Sequence, residues 1–476
     1  MYAITLEEDM RHFDVVIVGA GSAAFAAAIK ASDLGATVAM IESGAIGGTC
    51  VNVGCIPSKN LIEAADLYHS VMGPNRYRGL SFGRAQLDFA GLIEQKDQLV
   101  TTLRQKKYLD VAQGREGISI MKGQGHFIGP QQIVVNEEVV TGRQVLIATG
   151  TRACIPPFPG LESVPYLTST EAFMLKKLPV SMMIIGGGVI ALELGQMFQR
   201  FGVRVTILER GPHVLSGFDE EVAHSIQGLL QNEGLNILTH TTVAQVGQSD
   251  TGVTVRVHTN GQTHDLTGET LLIACGRVPN TDHLDLDKAG VEVDDRDFVK
   301  VNEEMQTTHQ SIWAAGDVTG PPLATPVGAR EGVIAAENML TGKHRRMDYS
   351  IIPRAVFTEP EVASVGLTAT EARQQGIRVK ADCLDLKHVP KAAAIYKTGG
   401  LVNMVVEEDT DRIIGVHLVA DRGADLIHEA ALAIKCRLTT QDLIDMIHVY
   451  PTMSESIRMA AQIFQKDVST LSCCAE

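Results

Sequence analysis

Residues 14–24 read Asp14-Val15-Val16-Ile17-Val18-Gly19-Ala20-Gly21-Ser22-Ala23-Ala24, and this stretch decides the fold. The β-branched run predicts a buried strand, the glycines a tight turn, and the alanine-rich continuation to Lys30 a helix lying back on the strand. A second apolar run, residues 37–41, ends at Glu42, where a carboxylate about twenty residues past the glycines accepts hydrogen bonds from ribose hydroxyls. The plan recurs in residues 182–185, then Gly186-Gly187-Gly188-Val189-Ile190-Ala191, an apolar helix, and residues 204–208 ending at Glu209. One such fingerprint is weak, because a glycine turn often only packs a helix on a strand; two in register imply two dinucleotide sites. Gly19, Gly21, Gly186 and Gly188 serve the turn and the approach of a pyrophosphate to helix N–H groups, while Ala24 and Ala191 stand where helix meets strand.

Outward from these units, residues 146–150 and 272–277 each read as a strand entering a glycine turn, at Gly150 and Gly276. Pro156, Pro157 and Pro159 mark a linker, and Ile312-Trp313-Ala314-Ala315-Gly316-Asp317 is a strand whose turn presents a carboxylate. From about Ser350 strands and amphipathic helices follow without a nucleotide fingerprint. The expected class is α/β: a first dinucleotide-binding domain in 1–150, a second in 151–272, a central segment in 273–348 belonging with the first, and an α+β domain in 349–476.

The 476 residues fit about three domains. With 41 basic against 56 acidic residues, the formal charge of −15 has the wrong sign for binding nucleic acid. The uncharged run of residues 15–29 contains glycines and falls short of the ~20 residues of a membrane span. Residues 1–12 carry Glu7, Glu8 and Asp9 rather than the basic start of a secretory signal, so a cytoplasmic protein is expected. Eight cysteines are too few for a disulfide scaffold, and those occurring in pairs call for a chemical explanation.

The first pair lies in Gly47-Gly48-Thr49-Cys50-Val51-Asn52-Val53-Gly54-Cys55-Ile56-Pro57-Ser58-Lys59. Five residues of ideal helix rise ~7.5 Å, beyond the ~6.8 Å Cα separation a disulfide tolerates. A bridge therefore requires a loop or a distorted turn, for which Gly54 is suited. Such a pair beside a nucleotide site points to redox chemistry. Cys154, Cys275, Cys383 and Cys436 stand singly among apolar neighbours and are expected as small core residues.

The thirteen residues from Gly47 to Lys59 resemble the active-site signature of the FAD-dependent pyridine nucleotide-disulfide oxidoreductases. The resemblance spans nearly the whole chain and implies electron flow from NADPH or NADH through FAD to the cysteines. It makes Cys50 the outer and Cys55 the inner thiol, pairs Lys59 with Glu193, and gives Asp317 the FAD ribityl chain. Gly48, Thr49, Gly150 and Gly276 then belong to the cofactor site with the glycine turns. The last domain becomes the dimerisation domain of a homodimer whose active sites are shared between subunits.

Disulfide-reducing members carry H-P-T-x-x-E near the C-terminus, and this chain reads Tyr450-Pro451-Thr452-Met453-Ser454-Glu455. A phenol with a reference pKa of ~10 is a poor proton shuttle at neutral pH. The end of the chain, Ser472-Cys473-Cys474-Ala475, presents adjacent thiols suited to a soft metal ion. Together these features resemble the mercuric reductases of the same family, with Hg(II) as substrate and Tyr108 as a further site tyrosine. By that resemblance Cys50, Cys55, Cys473, Cys474, Tyr108 and Tyr450 handle the metal. The N-terminal G-M-T-C-x-x-C domain of many members has no counterpart in this sequence. Rival readings are a lipoamide- or glutathione-type disulfide reductase and a non-catalytic metal-sequestering flavoprotein. Between the nicotinamide cofactors, Glu209 favours a free 2′-hydroxyl and Arg210 a phosphate.

Overall fold

The computed structural model describes residues 11–73, 76–250 and 252–468. Two compact units emerge, one from residues 1–58, 91–154 and 276–348, the other from residues 59–90, 155–275 and 349 onward. The fold is two nucleotide-binding α/β sheets plus a C-terminal α+β domain, and the chain leaves the first unit within the helix Cys55–Met72.

In the first unit, strand Arg11–Val18 lies in parallel between Val38–Glu42 and Glu138–Ile147. Ile118–Lys122 extends one side, and the antiparallel strands Gln132–Val135 and His126–Gly129 the other, while Ile312–Ala314 pairs in parallel with Glu138–Ile147. Val15 to Val18 are buried on both faces, as expected of a strand read from an unbroken apolar run. The helix Ser22–Asp33 packs on the helix Thr325–Thr341 so closely that a Cβ on Gly332 would stand 2.2 Å from the carbonyl oxygen of Ala23. Alanine on one helix and glycine on the other make that approach possible.

In the second unit, Asn236–Leu238, Arg204–Leu208, Ser181–Ile185 and Thr270–Ile273 form a parallel sheet in that order. A three-stranded antiparallel sheet, Thr241–Ser249, Gly252–Thr259 and Gln262–Gly268, belongs to the same unit. The α+β domain is a five-stranded antiparallel sheet in the order Arg354–Val356, Glu361–Gly366, Ile413–Ala420, Leu401–Glu407, Val379–Asp385. The helices Gly423–Lys435 and Glu455–Gln462 bury Leu426, Ile427, Ile457 and Ala460 in its core.

Two single cysteines depart from expectation. Cys383 and Cys436 are exposed. Cys383 lies on the edge strand Val379–Asp385, and Cys436 caps the C-terminus of Gly423–Lys435. Apolar neighbours in sequence do not bury a residue that faces outward from an edge or ends a helix. Cys154 and Cys275 are half-buried. Among the described residues no helix is long and apolar enough to cross a membrane.

Candidate active site

The first glycine turn forms for a definite reason. Gly19 has φ +119°, and a Cβ on it would lie 2.3 Å from the carbonyl oxygen of Ala148, so the crossing of adjacent strands admits no side chain. Behind it Ala24 is fully buried. The helix Ser22–Asp33 has Gly21 at its N-cap and no side-chain cap, leaving its first N–H groups to a ligand. A cavity of about 550 Å³ opens at the carboxyl ends of the parallel strands, with Gly19, Gly21, Gly48, Thr49, Cys50, Gly150 and Asp317 among its lining residues.

Several features fit this cavity to a dinucleotide such as FAD. A Cβ on Gly48 would stand 2.7 Å from Cα of Gly21, so two chain segments meet there with no side chain between them. Glu42 also lines the cavity, its carboxylate accepting hydrogen bonds from the N–H of Ala20 at 2.8 Å and of Gly44 at 2.6 Å. Asp317 is held by the Thr151 hydroxyl at 3.1 Å, and burial raises its carboxyl above the usual range. Its Gly-Asp turn is fixed by the buried carboxylate of Glu331, which accepts the N–H of Gly316 at 2.7 Å.

The cysteines occupy a broken helix. Gly48–Val53 stops at Gly54 (φ −129°, ψ −113°), and Cys55 begins the next helix. The break removes the axial separation that five residues of continuous helix would impose. Cys50 is half-buried and Cys55 exposed, with the Cys55 sulfur 3.8 Å from the Thr325 hydroxyl. Hydrogen bonding to the Cys55 sulfur, followed by burial, pushes the Cys50 thiol far above its ordinary value. The short helix is braced by Asn52, which donates to the carbonyls of Ile46 and Gly48 at 2.9 and 2.8 Å and accepts from Arg104 at 3.2 Å.

Tyr108 joins this group. It lies in a π-helical turn, Gln105–Leu109, between the α-helices Phe89–Arg104 and Asp110–Gln113; such turns recur at functional sites. The wider turn sets its ring edge-on against Phe25, centroids 4.9 Å apart, and directly beside Gly47. Burial raises its phenol above the ordinary value, opposed by a hydrogen bond from Ser22, with the charges of Cys50 and Cys55 raising it further.

Within the second unit, Lys59 Nζ meets a carboxylate oxygen of Glu193 at 2.7 Å. The other oxygen accepts the Phe357 N–H at 3.0 Å, and the ammonium lies 4.4 Å from the Phe357 ring centroid. The second glycine turn repeats the first: Gly186 has φ +111°, a Cβ there would lie 2.3 Å from the carbonyl oxygen of Ala274, and Ala191 is fully buried. Gly188 is the N-cap of helix Val189–Arg200 and has open space where a Cβ would stand. Glu209 is half-buried beside Gly187 and accepts the Gly211 N–H at 2.6 Å, while Arg210 is exposed. Tyr450 is exposed on the loop before Glu455–Gln462.

Thus Cys50, Cys55 and Tyr108 gather in the first unit, and Lys59 pairs with Glu193 in the second. Gly276 is not among the cavity-lining residues; its carbonyl accepts the Cys154 N–H. Cys473 and Cys474 lie outside the described residues. Sequence reasoning missed Thr325, Asn52, Arg104 and Glu331. Asn52 alone carried a signal, two residues from Cys50; the others come from distant segments with no motif of their own.

A family model described as pyridine nucleotide-disulphide oxidoreductase matches residues 13–333, and the dimerisation domain of the same family matches residues 352–461. A mercuric reductase of Staphylococcus aureus is 41% identical over 463 residues, covering 97% of this chain and 84% of its own length. That of Streptomyces lividans is 39% identical over 468 residues, covering 97% of this chain and 98% of its own. Among solved structures, the HOCl-induced flavoprotein disulfide reductase RclA from Escherichia coli is similar, with a TM-score of 0.84, 30% identity, and coverage of 94% of this chain and 99% of that one.

Proposed function

Because the chain belongs to the pyridine nucleotide-disulphide oxidoreductases, and among them to the mercuric reductases, we propose that it reduces Hg(II) to elemental mercury with NADPH or NADH. The observation that carries this reading is a dithiol accompanied by phenols: Cys50 and Cys55 beside Tyr108, and Tyr450 where disulfide-reducing members carry histidine.

FAD, when bound, relays two electrons from the nicotinamide toward the metal. The N–H groups at the start of Ser22–Asp33 would bind its pyrophosphate, Glu42 would face its ribose, and Asp317 with Thr151 would hold its ribityl chain, with Gly48, Thr49 and Gly150 completing the site. Gly186, Gly188, Glu209 and Arg210 belong to the NAD(P)H site. Cys50 and Cys55 bind Hg(II) as thiolates, Cys50 as the outer sulfur and Cys55 as the inner one. Capture of the ion by these thiols releases protons and grows more favourable as pH rises. Each incoming sulfur joins before the previous one leaves, so a tightly held ion can still move. Tyr108 and Tyr450 exclude water and direct the ion to the sulfurs, and Lys59 and Glu193 form an ion pair.

The working form is a cytoplasmic homodimer with shared sites, in which Tyr450, Cys473 and Cys474 of one subunit serve Cys50 and Cys55 of the other. The segments 1–150 and 273–348 hold FAD, 151–272 holds NAD(P)H, and 349–476 forms the dimer contact. Parallel assays with Hg(II), glutathione disulfide and lipoamide test the reading. NADPH oxidation with Hg(II) and loss of volatile mercury is expected; turnover with a disulfide substrate instead would identify a disulfide reductase.

A further inference from the structure

The loop presenting Tyr450 runs from the end of helix Thr440–Asp445 to the start of helix Glu455–Gln462. Its side chains alternate sharply. Ile447 is 93% exposed and Val449 76%, while the imidazole of His448 between them is 4% exposed. Alternation of this kind belongs to extended chain, in which successive side chains point to opposite sides. One residue of the loop is therefore turned inward while its neighbours face out.

The inward residue is held from two directions. His448 Nε2 lies 2.8 Å from a carboxylate oxygen of Glu429, on the helix Gly423–Lys435, and Nδ1 lies 3.1 Å from the carbonyl oxygen of Met446. Each nitrogen of this buried ring faces an acceptor, so rotating the ring or slipping the loop breaks its contact with Glu429 or with Met446. Beyond Tyr450, the Thr452 hydroxyl donates to the Val449 carbonyl at 2.7 Å, and the Thr452 N–H donates to Glu455 at 3.3 Å. Tyr450 thus sits between two anchored points.

We propose that His448 and Glu429 form a latch that positions Tyr450 for the handling of Hg(II). This rests on the reading of Tyr450 given above. Both are positioning residues, acting through the loop.

The test uses the FAD-loaded dimer. His448→Phe, which keeps a ring without its nitrogens, and Glu429→Ala should each lower kcat/KM for Hg(II) about tenfold, the loss expected for one charge-assisted hydrogen bond. Glu429→Gln retains an acceptor oxygen and should recover most of that loss. NADPH-dependent reduction of ferricyanide, which bypasses the thiols, should be unchanged. In a Tyr450→Phe background His448→Phe should cause no further loss in kcat/KM, since residues acting as one unit are not additive. Equal losses in both backgrounds, or a parallel fall in ferricyanide reduction, would overturn the latch. Independently of the substrate, iodide quenching of the indole in Tyr450→Trp should change when His448→Phe is added; unchanged quenching would also overturn it. If the wild-type protein fails to reduce Hg(II), the functional reading falls, and the quenching comparison still decides the latch.

Discussion

The two glycine turns, one in each unit, are built alike and finished differently. At both, a glycine with positive φ crosses a neighbouring strand so closely that a Cβ would lie 2.3 Å from a carbonyl oxygen, and an alanine seals the helix onto the sheet. At the first turn Glu42 spends both oxygens on main-chain N–H groups, and Gly48 closes on Gly21. At the second, Glu209 folds beside Gly187, and Gly188 opens onto empty space. The same backbone device therefore makes an enclosed cradle in one unit and an accessible one in the other. This suits a cofactor that stays in the first and one that comes and goes at the second.

The sharpest way to separate chemistry from binding at the first turn is to remove a sulfur. Cys50→Ser and Cys55→Ser should each lower Hg(II) reduction at least about a thousandfold, as loss of a reacting group commonly does. FAD content, read from flavin absorbance, should be retained. Reduced Cys55→Ser should also lack the long-wavelength thiolate–flavin band that Cys50→Ser keeps; the reverse would exchange the inner and outer roles.

A pair of glycines separates the two cradles. Gly48→Ala places a Cβ against Gly21 at positive φ, strain on the order of 1–3 kcal/mol, and should lower both FAD content and the unfolding midpoint. Gly188→Ala meets no protein atom and should leave FAD and stability intact while raising KM for NADPH. Loss of FAD from Gly188→Ala would erase the distinction between the cradles.

Asp317 sharpens it through pH. Burial raises its carboxyl in the folded state, so its contribution to stability is fully present below the unfolded value of about 3.9 and is lost as pH rises through the higher folded value. FAD-free Asp317→Asn should therefore gain stability relative to wild type across that rise and show no trend below it, as measured by urea unfolding at several pH values.

The smallest effect is expected at the second turn. Glu209→Ala should move the ratio of kcat/KM for the two nicotinamides toward NADPH by about tenfold or less, since a partly solvated carboxylate is worth about a kcal/mol. An unchanged ratio would show that Glu209 does not face the ribose.

Both turns were legible in the sequence because strand, glycine and helix are contiguous and each residue's task is local. A bridge between Cys50 and Cys55 requires a loop or a distorted turn at that spacing, and the helix does break at Gly54. What stayed hidden depends on partners far away in the chain. Nothing near Thr325 announces the Cys55 sulfur, and nothing in Phe89–Arg104 announces that the next turn widens to turn Tyr108 inward. The burial assigned to Cys383 and Cys436 failed because strand order and helix ends, not local hydrophobicity, decide which residues face water. Residues 59–90 group with the second unit although a continuous helix leads into them from the first, a division no local pattern contains.

The anaerobic stoichiometry of elemental mercury released per NADPH oxidised decides whether this protein reduces Hg(II). Two electrons leave NADPH and two convert Hg(II) to Hg(0), so the account requires a one-to-one ratio, with no release from Cys55→Ser. Oxidation of NADPH without mercury vapour, or Hg(II) retained unreduced on the protein, would contradict it.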